Sequence, residues 1–383
     1  MKKVYLDYAA TSPCELEVVE EMRDYWDRIF GNPSSMHSWG EAAQNALQES
    51  RAKVAWLIGA KPEEIVFTSG GTESNNTAIK SVAWAYSYKG NHIISSAIEH
   101  PSVLESLKFL EKTGFKVTLL EVDRFGRIDT KELEKSIGPH TILISVMHAN
   151  NEIGTIEPIE EVAAIARKRG IVLHTDAVQT IGHIPLDVKD LGIDLLSSSA
   201  HKFYGPKGIG FLYIKKGTKM APLIHGGGQE KGRRSSTENI PSIVGLRKAL
   251  EISIGSIQKE IQKISSLRDR LKEEIRKNIP QVSFNGHPEH ILPNSLSFSV
   301  KNIDGEALAM RLNMEGIACS TGSACSSEKG LPSYTLQAIG LKGELLRGAI
   351  RFSLGRQNNS EDIEYCAKVL KKEIEELRRI SPL

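Results

Sequence analysis

Apolar and polar positions alternate between two periods along this chain, and they do so in a regular order as far as Ile214. Over residues 40–58 the apolar side chains Ala43, Ala46, Leu47, Val54 and Leu57 recur near helical spacing, which predicts a helix with one buried face. Residues 15–30 repeat that pattern after a short arm, Tyr5-Leu6-Asp7-Tyr8-Ala9-Ala10-Thr11, that is rich in small residues. Between the two, Gly31-Asn32-Pro33-Ser34-Ser35-Met36-His37 predicts a loop, because Pro33 has no amide donor and biases Asn32 away from helix. By itself Asn32 reads as a turn former. From Glu64 onward short apolar runs, at 65–67, 92–96, 115–122, 141–147, 171–176, 194–198 and 210–214, are separated by turn residues and helical stretches. Strands alternating with helices predict an α/β unit, a mainly parallel sheet covered on both faces.

The rhythm changes after Ile214. Residues 225–239 form a polar, glycine-rich connector too long for a tight turn, and such a segment is expected to reach a site. Residues 241–278 are strongly helical, with Gly255 as an interruption where one unit passes into the next. Beyond it, 295–300 alternates like a strand, 306–314 reads as a helix, 350–354 as a strand and 360–380 as an amphipathic helix. This second part predicts a smaller α+β unit. It also contains Thr321-Gly322-Ser323-Ala324-Cys325-Ser326-Ser327-Glu328-Lys329-Gly330, short of large apolar anchors and bracketed by glycines, the composition of a segment that moves.

Candidate chemistry sits where the strands end. Lys202, in Ser199-Ala200-His201-Lys202, follows a β-prone run and precedes Gly205-Pro206-Lys207-Gly208. A lysine at the end of a buried strand gives up its proton more easily than a solvated one and attacks an aldehyde as a free amine. One strand earlier, Asp176 in His174-Thr175-Asp176-Ala177-Val178-Gln179 is expected at a carboxyl end of the sheet, where open α/β sheets bind ligands. A carboxylate and a lysine so placed suit pyridoxal 5'-phosphate, whose ring nitrogen needs an acid partner and whose aldehyde needs an amine. The Gly70-Gly71-Thr72 turn opens a helix and suits an anion such as the cofactor phosphate. His100, ahead of another helix, reads by itself as a cap or a packed side chain.

Composition narrows the class without naming a reaction. A chain of 383 residues buries a large core, and a net charge of +2 with interspersed signs argues against a nucleic-acid or membrane surface. No stretch has the length and apolarity of a signal or of the roughly 18-residue membrane span, so a cytoplasmic protein is expected. Cys14, Cys319, Cys325 and Cys366 include no Cys-x-x-Cys pair, which argues against a zinc site or a disulfide framework. Cys319 follows an apolar run and is expected to be buried and inert.

The order and spacing of these motifs, from Gly-Asn-Pro-Ser-Ser at Asn32 through Glu99-His100 and His-Ala-Asn-Asn-Glu-Ile-Gly at Asn151 to Thr237 and the Cys325 loop, resemble the NifS/IscS-type cysteine desulfurases over nearly the whole chain. These belong to the class-V aminotransferase family. The resemblance implies the α/β fold type I of pyridoxal phosphate enzymes: a large domain, 15–255, with a mainly parallel seven-stranded sheet between helices, and a smaller α+β domain, 1–14 plus 256–383, carrying a mobile catalytic loop at about 321–332. It also implies a homodimer that converts L-cysteine to L-alanine, leaves the sulfur as a persulfide on Cys325 and supplies an iron–sulfur scaffold or another acceptor protein.

Carried over residue by residue, Lys202 holds the cofactor and shuttles protons, Asp176 pairs with the ring nitrogen and His100 lies over the ring. Asn151 and Gln179 contact its phenolic side. Gly71, Thr72, Ser199 and His201 bind the phosphate, with Thr237 contributing from the other subunit. Asn32 and Arg351 hold the substrate carboxylate, and no metal is implied beyond a transient iron–sulfur contact at Cys325. Ser236 stands where the resemblance leads to glycine, and the chain ends at Leu383 without the extended tail some members use to dock a scaffold, which leaves the acceptor open. Other reactions of the same fold, transamination and selenocysteine cleavage among them, are the rival readings; a non-catalytic member is opposed by the presence of both Lys202 and Cys325.

Overall fold

The computed structural model describes residues 2–321 and 332–380. The chain opens with β1 (Val4–Tyr5), then α1 (Leu16–Met22), α2 (Asp24–Asp27) and α3 (Ser38–Leu57), so the helix expected at 15–30 is broken at Arg23. An alternating series follows: β2 (Ile65–Thr68), α4 (Gly71–Tyr86), β3 (His92–Ser96), α5 (Pro101–Lys112), β4 (Lys116–Leu120), α6 (Thr130–Ser136), β5 (Thr141–Ser145), α7 (Ile159–Arg169), β6 (Val172–Asp176), α8 (Val188–Leu191), β7 (Leu195–Ser199) and β8 (Gly210–Ile214). These strands form one seven-stranded sheet in the order β2-β8-β7-β6-β5-β3-β4. Only β8 runs against its neighbours β7 and β2.

Both faces of the sheet are covered, and the residues alternate between two cores. Along β2, Ile65 and Phe67 join the core under α1, α3 and α7, whereas Val66 joins the one under α4 and α5. β5, β6 and β7 are buried at every position, which is why they read as unbroken apolar or small-residue runs. The strand order reverses between β3 and β5. At such a switch point the loops leaving adjacent strands diverge and open a crevice beyond the carboxyl ends.

The helical stretch after the connector is α9 (Ile240–Gly255) and α10 (Ile257–Asn278), broken beside Gly255 as the sequence predicts. The remainder is β9 (Val282–Asn285), β10 (Ser295–Val300), α11 (Gly305–Met314), β11 (Ile317–Ala318), α12 (Tyr334–Ala338), α13 (Gly343–Arg347), β12 (Ala349–Ser353) and α14 (Ser360–Ile380). β10 lies between β9 and β12 in an antiparallel sheet. Its alternation does not divide core from water: Leu296, Phe298 and Val300 enter the core, while Ser297 and Ser299 form a buried polar layer with Asn285.

The N-terminal arm belongs to this second core. β1 pairs in parallel with β11, and Val4 and Leu6 pack into the cluster of Phe298, Phe352 and the α10 and α14 side chains. Burying each such side chain contributes about 1.5–3 kcal/mol, enough to hold the following residues, Asp7 to Ala10, at a set position over the large sheet.

Candidate active site

A cavity of about 420 Å³ lies at the carboxyl ends of the central strands, within the size range of small-molecule sites. Ten of the residues singled out from the sequence line it. Asp176 and Gln179 come from the end of β6, Ser199, His201 and Lys202 from the end of β7, Gly71 and Thr72 from the start of α4, and His100 from the loop entering α5. Asn151 comes from the loop after β5 and Arg351 from β12 of the second sheet.

Asp176 is buried and accepts on both oxygens, from Val178 N–H at 3.0 Å and from the Asn75 side-chain amide at 2.7 Å. Both oxygens thus serve as acceptors, as the oxygens of a carboxylate do. Lys202 closes the one-turn 3₁₀ segment Ala200–Lys202 and donates through Nζ to the carbonyls of Ala9 and Ala10 at 2.6 and 2.7 Å. Gln179 donates to the same Ala9 carbonyl at 3.1 Å. The backbone of Lys202 is held from behind, where His183 Nε2 meets its carbonyl at 2.9 Å; burial pushes the His183 pKa down, so the ring is neutral and Nε2 carries the donating proton.

The part of the cavity beside Val178 and Ser199 is built for an anion. Gly70 precedes α4 with φ of 147°, where side chains are strongly disfavoured, and no side chain caps the helix. A Cβ on Gly71 would come within 2.7 Å of Val178, so only glycine leaves the first amides of α4 this close to the β6 loop. Exposed amides at a helix start attract negative charge. Ser199 and His201 flank them; burial, with the charges of Lys202 and Lys207, holds the His201 pKa down to about 4, so at neutral pH its ring is uncharged.

At the far wall, Arg351 is buried with Nη1 on the Asn151 carbonyl at 2.8 Å and Nη2 on Asp7 at 2.6 Å; its Nε has no partner among the described residues. Glu152 and Tyr334 share this wall. Glu152 accepts from Ser333 and Thr335 hydroxyls, while burial pushes its pKa up to about 7 against those bonds. Tyr334 donates to the Glu99 carbonyl at 2.6 Å.

Two of the singled-out residues stand apart in this chain. Asn32 is exposed and spends Oδ1 on Ser34 N–H at 2.9 Å, the turn-forming role its local sequence suggests. Thr237 is exposed beside a separate hollow that includes Ser69 and Arg234. Its neighbour Ser236 holds φ of 145°, so a serine occupies a backbone conformation suited to glycine. Cys325 lies outside the described residues. Of the other cysteines, Cys366 is fully buried and Cys14 and Cys319 are half-buried; burial, then the Asp7 charge, pushes the Cys319 thiol up to about 12. Asn75, Ser102, Glu152 and Tyr334 were not singled out. For three of them a local signal existed: Asn75 lies three residues beyond Thr72 on the same helix face, Ser102 two beyond His100 and Glu152 next to Asn151; Tyr334 owes its place to packing between segments distant in sequence.

The profile of the aminotransferase class-V family matches residues 4–366. The chain is 54% identical to the cysteine desulfurase IscS of Dictyoglomus turgidum, covering 100% of this chain and 97% of that one, and 50% identical to that of Clostridium botulinum with the same coverages. Among solved structures, a NifS-like protein superposes with a TM-score of 0.93 at 40% identity, covering 98% of this chain and 100% of that one. SspA, solved in complex with cysteine, gives 0.82 at 38% identity over 92% and 99%. The chain belongs to the class-V aminotransferases. Within that family it is a cysteine desulfurase of the IscS type, with fold type I and pyridoxal phosphate as cofactor.

The residues present in this desulfurase fit that cofactor. The glycine cradle at α4 offers amides that no side chain caps to a phosphate, Asp176 offers a carboxylate to a ring nitrogen, and Lys202 Nζ shares the cavity with both.

Proposed function

We propose that this enzyme removes sulfur from L-cysteine by breaking its C–S bond, forming an S–S bond to Cys325 and releasing L-alanine. One observation carries the residue roles: Lys202, Asp176, His100 and Arg351, from four separate segments, border one cavity with a glycine cradle at its end. Bound there through Gly71, Thr72, Ser199 and His201, the cofactor supplies an electron sink that labilises bonds at the substrate Cα. Lys202 Nζ moves the proton at Cα, and Asp176 keeps a negative charge beside the ring nitrogen. Arg351 receives the substrate carboxylate, with Asn151 and Gln179 bordering the cavity beside it. His100, which lines the same cavity, would lie over the ring of the bound cofactor.

The thiolate of Cys325 attacks the substrate sulfur; the substrate carbon gains the proton that replaces sulfur, so one L-cysteine and one enzyme thiol become L-alanine and one persulfide. A second protein thiol then takes the outer sulfur for iron–sulfur assembly or thiolation. Asn32 and Thr237, which stand outside the cavity of their own chain, reach a site only from a second copy, in keeping with a homodimer. The chain divides into a large unit, 15–255, and a smaller one, 1–14 plus 256–383, and works in the cytoplasm.

Alanine release from L-cysteine tests the reaction, and mapping of labelled sulfur after one turnover tests the nucleophile. Cys325→Ser is expected to form almost no alanine, with the label on Cys325 in the unaltered enzyme. Sulfur found instead on Cys319, whose thiol stays protonated near neutral pH, would overturn the assignment.

A further inference from the structure

The bonds between Asp176 and His100 determine where each proton among them lies. Asp176 accepts on both oxygens, so the amide of Asn75 must turn its NH2 group toward Oδ2, 2.7 Å away. The Asn75 Oδ1 atom is left buried with no partner among the described residues. The second N–H of that NH2 group points at Ser102 Oγ, at 2.8 Å, which makes the hydroxyl oxygen an acceptor there. The Ser102 O–H is then free to donate, and His100 Nδ1 lies 2.8 Å away. The Ser102 backbone N–H approaches the same nitrogen at 3.1 Å, because His100 is the N-cap of α5. With two donors aimed at it, Nδ1 cannot itself carry hydrogen.

We propose that Ser102, oriented by Asn75, is a positioning residue that locks His100 in the tautomer protonated on Nε2, so that His100 acts in the cavity as a neutral hydrogen-bond donor and not as a base. A base at Nε2 needs its proton on Nδ1. That would set N–H against N–H at the start of α5, where the helix dipole also opposes positive charge. The surroundings agree: burial holds the His100 pKa down first, the Asp176 charge on β6 raises it and the Lys202 charge after β7 lowers it. A neutral ring with Nε2–H suits an anionic sulfur or carboxylate of the substrate, which it stabilises without taking a proton. This inference rests on the reading that the cavity His100 lines is the one that takes the cofactor and substrate.

The test is nuclear magnetic resonance of the cofactor-loaded enzyme labelled with 15N-histidine, with the His100 signals assigned by their loss in His100→Gln. At pH 7 the ring is expected to be neutral, protonated on Nε2 and bare on Nδ1. Ser102→Ala removes one donor to Nδ1 and should raise the His100 pKa by roughly 0.5–1 unit, the worth of one hydrogen bond, while Ser102→Thr restores it. A proton on Nδ1, a cationic ring at pH 7, or an unmoved titration in Ser102→Ala overturns the proposal, and the unaltered enzyme decides the first two even if the variant does not fold. Failure to release alanine from L-cysteine would count against the activity alone, since the tautomer is read without turnover.

Discussion

Ser333 donates its hydroxyl to Glu152 Oε2 at 2.5 Å, joining the residue just before α12 to the loop that leaves β5. The bond ties a buried carboxyl with a pKa of about 7 to the chain downstream of Cys325. Above that pH the carboxylate depends on the donor, and below it the neutral acid depends on it less. Ser333→Ala is therefore expected to cost about 1–3 kcal/mol at pH 8, and clearly less at pH 6. Thermal melts at the two pH values check this. An equal loss at both would mean that Ser333 acts through its cap on the Leu336 N–H at the start of α12 and not through Glu152.

Glu157 gives the protein a second pH dependence. Burial pushes its pKa up to about 8, with one oxygen on Ile128 N–H at 3.0 Å and the other without a partner among the described residues. A carboxyl whose pKa is raised on folding contributes stability that is complete below its unfolded value and is lost as pH climbs through the folded one. The buried His148 and the half-buried His201, both held down to about 4, do the reverse, their contribution being complete above about 6.5 and lost on acidification. Glu157 by itself should thus take roughly 2 kcal/mol from the stability between pH 6.5 and pH 8.5, alongside the losses from Glu99 and Glu152, whose pKa values burial also pushes up. Glu157→Gln should remove that share and make the alkaline fall shallower, as denaturant titration across the range would show; an unchanged slope would exclude Glu157 as a source.

Arg351 reaches across the interface between the two sheets, to Asn151 on one side and Asp7 on the other. Arg351→Lys keeps the charge but loses the planar fork that matches a carboxylate. The KM for L-cysteine is expected to rise roughly 10- to 100-fold with a smaller change in kcat. A fall in kcat at constant KM would place the carboxylate elsewhere.

Thr237 can be assigned to one subunit or the other by complementation. Hybrids of a Lys202→Ala chain with a Thr237→Ala chain should contain one site with both lesions and one with neither if Thr237 serves the partner's phosphate. Activity of about half that of the unaltered dimer is then expected. Hybrids without an intact site would return Thr237 to its own chain.

Much of this architecture was legible one-dimensionally because its signals are local. The strands β5 to β8 announce themselves as short apolar or small-residue runs, α14 as a periodic stripe, and the break at Gly255 as a single residue. α6 was missed, since it buries only Leu133 and leans on the Asp129 cap. Asp176 and Lys202 could be named as partners from strand ends alone, because a parallel sheet delivers successive carboxyl ends to the same edge.

The sequence by itself determined the kind of sheet, the edge on which ligands bind, and the residue types that suit the cofactor, all of which follow from period, turn chemistry and spacing. Tertiary structure alone decided what those residues touch. The arm of Ala9 and Ala10 meets Lys202 only because Val4 and Leu6 are buried in the second core. His100 accepts its protons at Nδ1 only because Asn75, on another helix, is turned by Asp176 on a strand between them. Such bonds join residues far apart in the chain. Their geometry is set by packing over the whole fold, which leaves no periodic trace in the residues that make them.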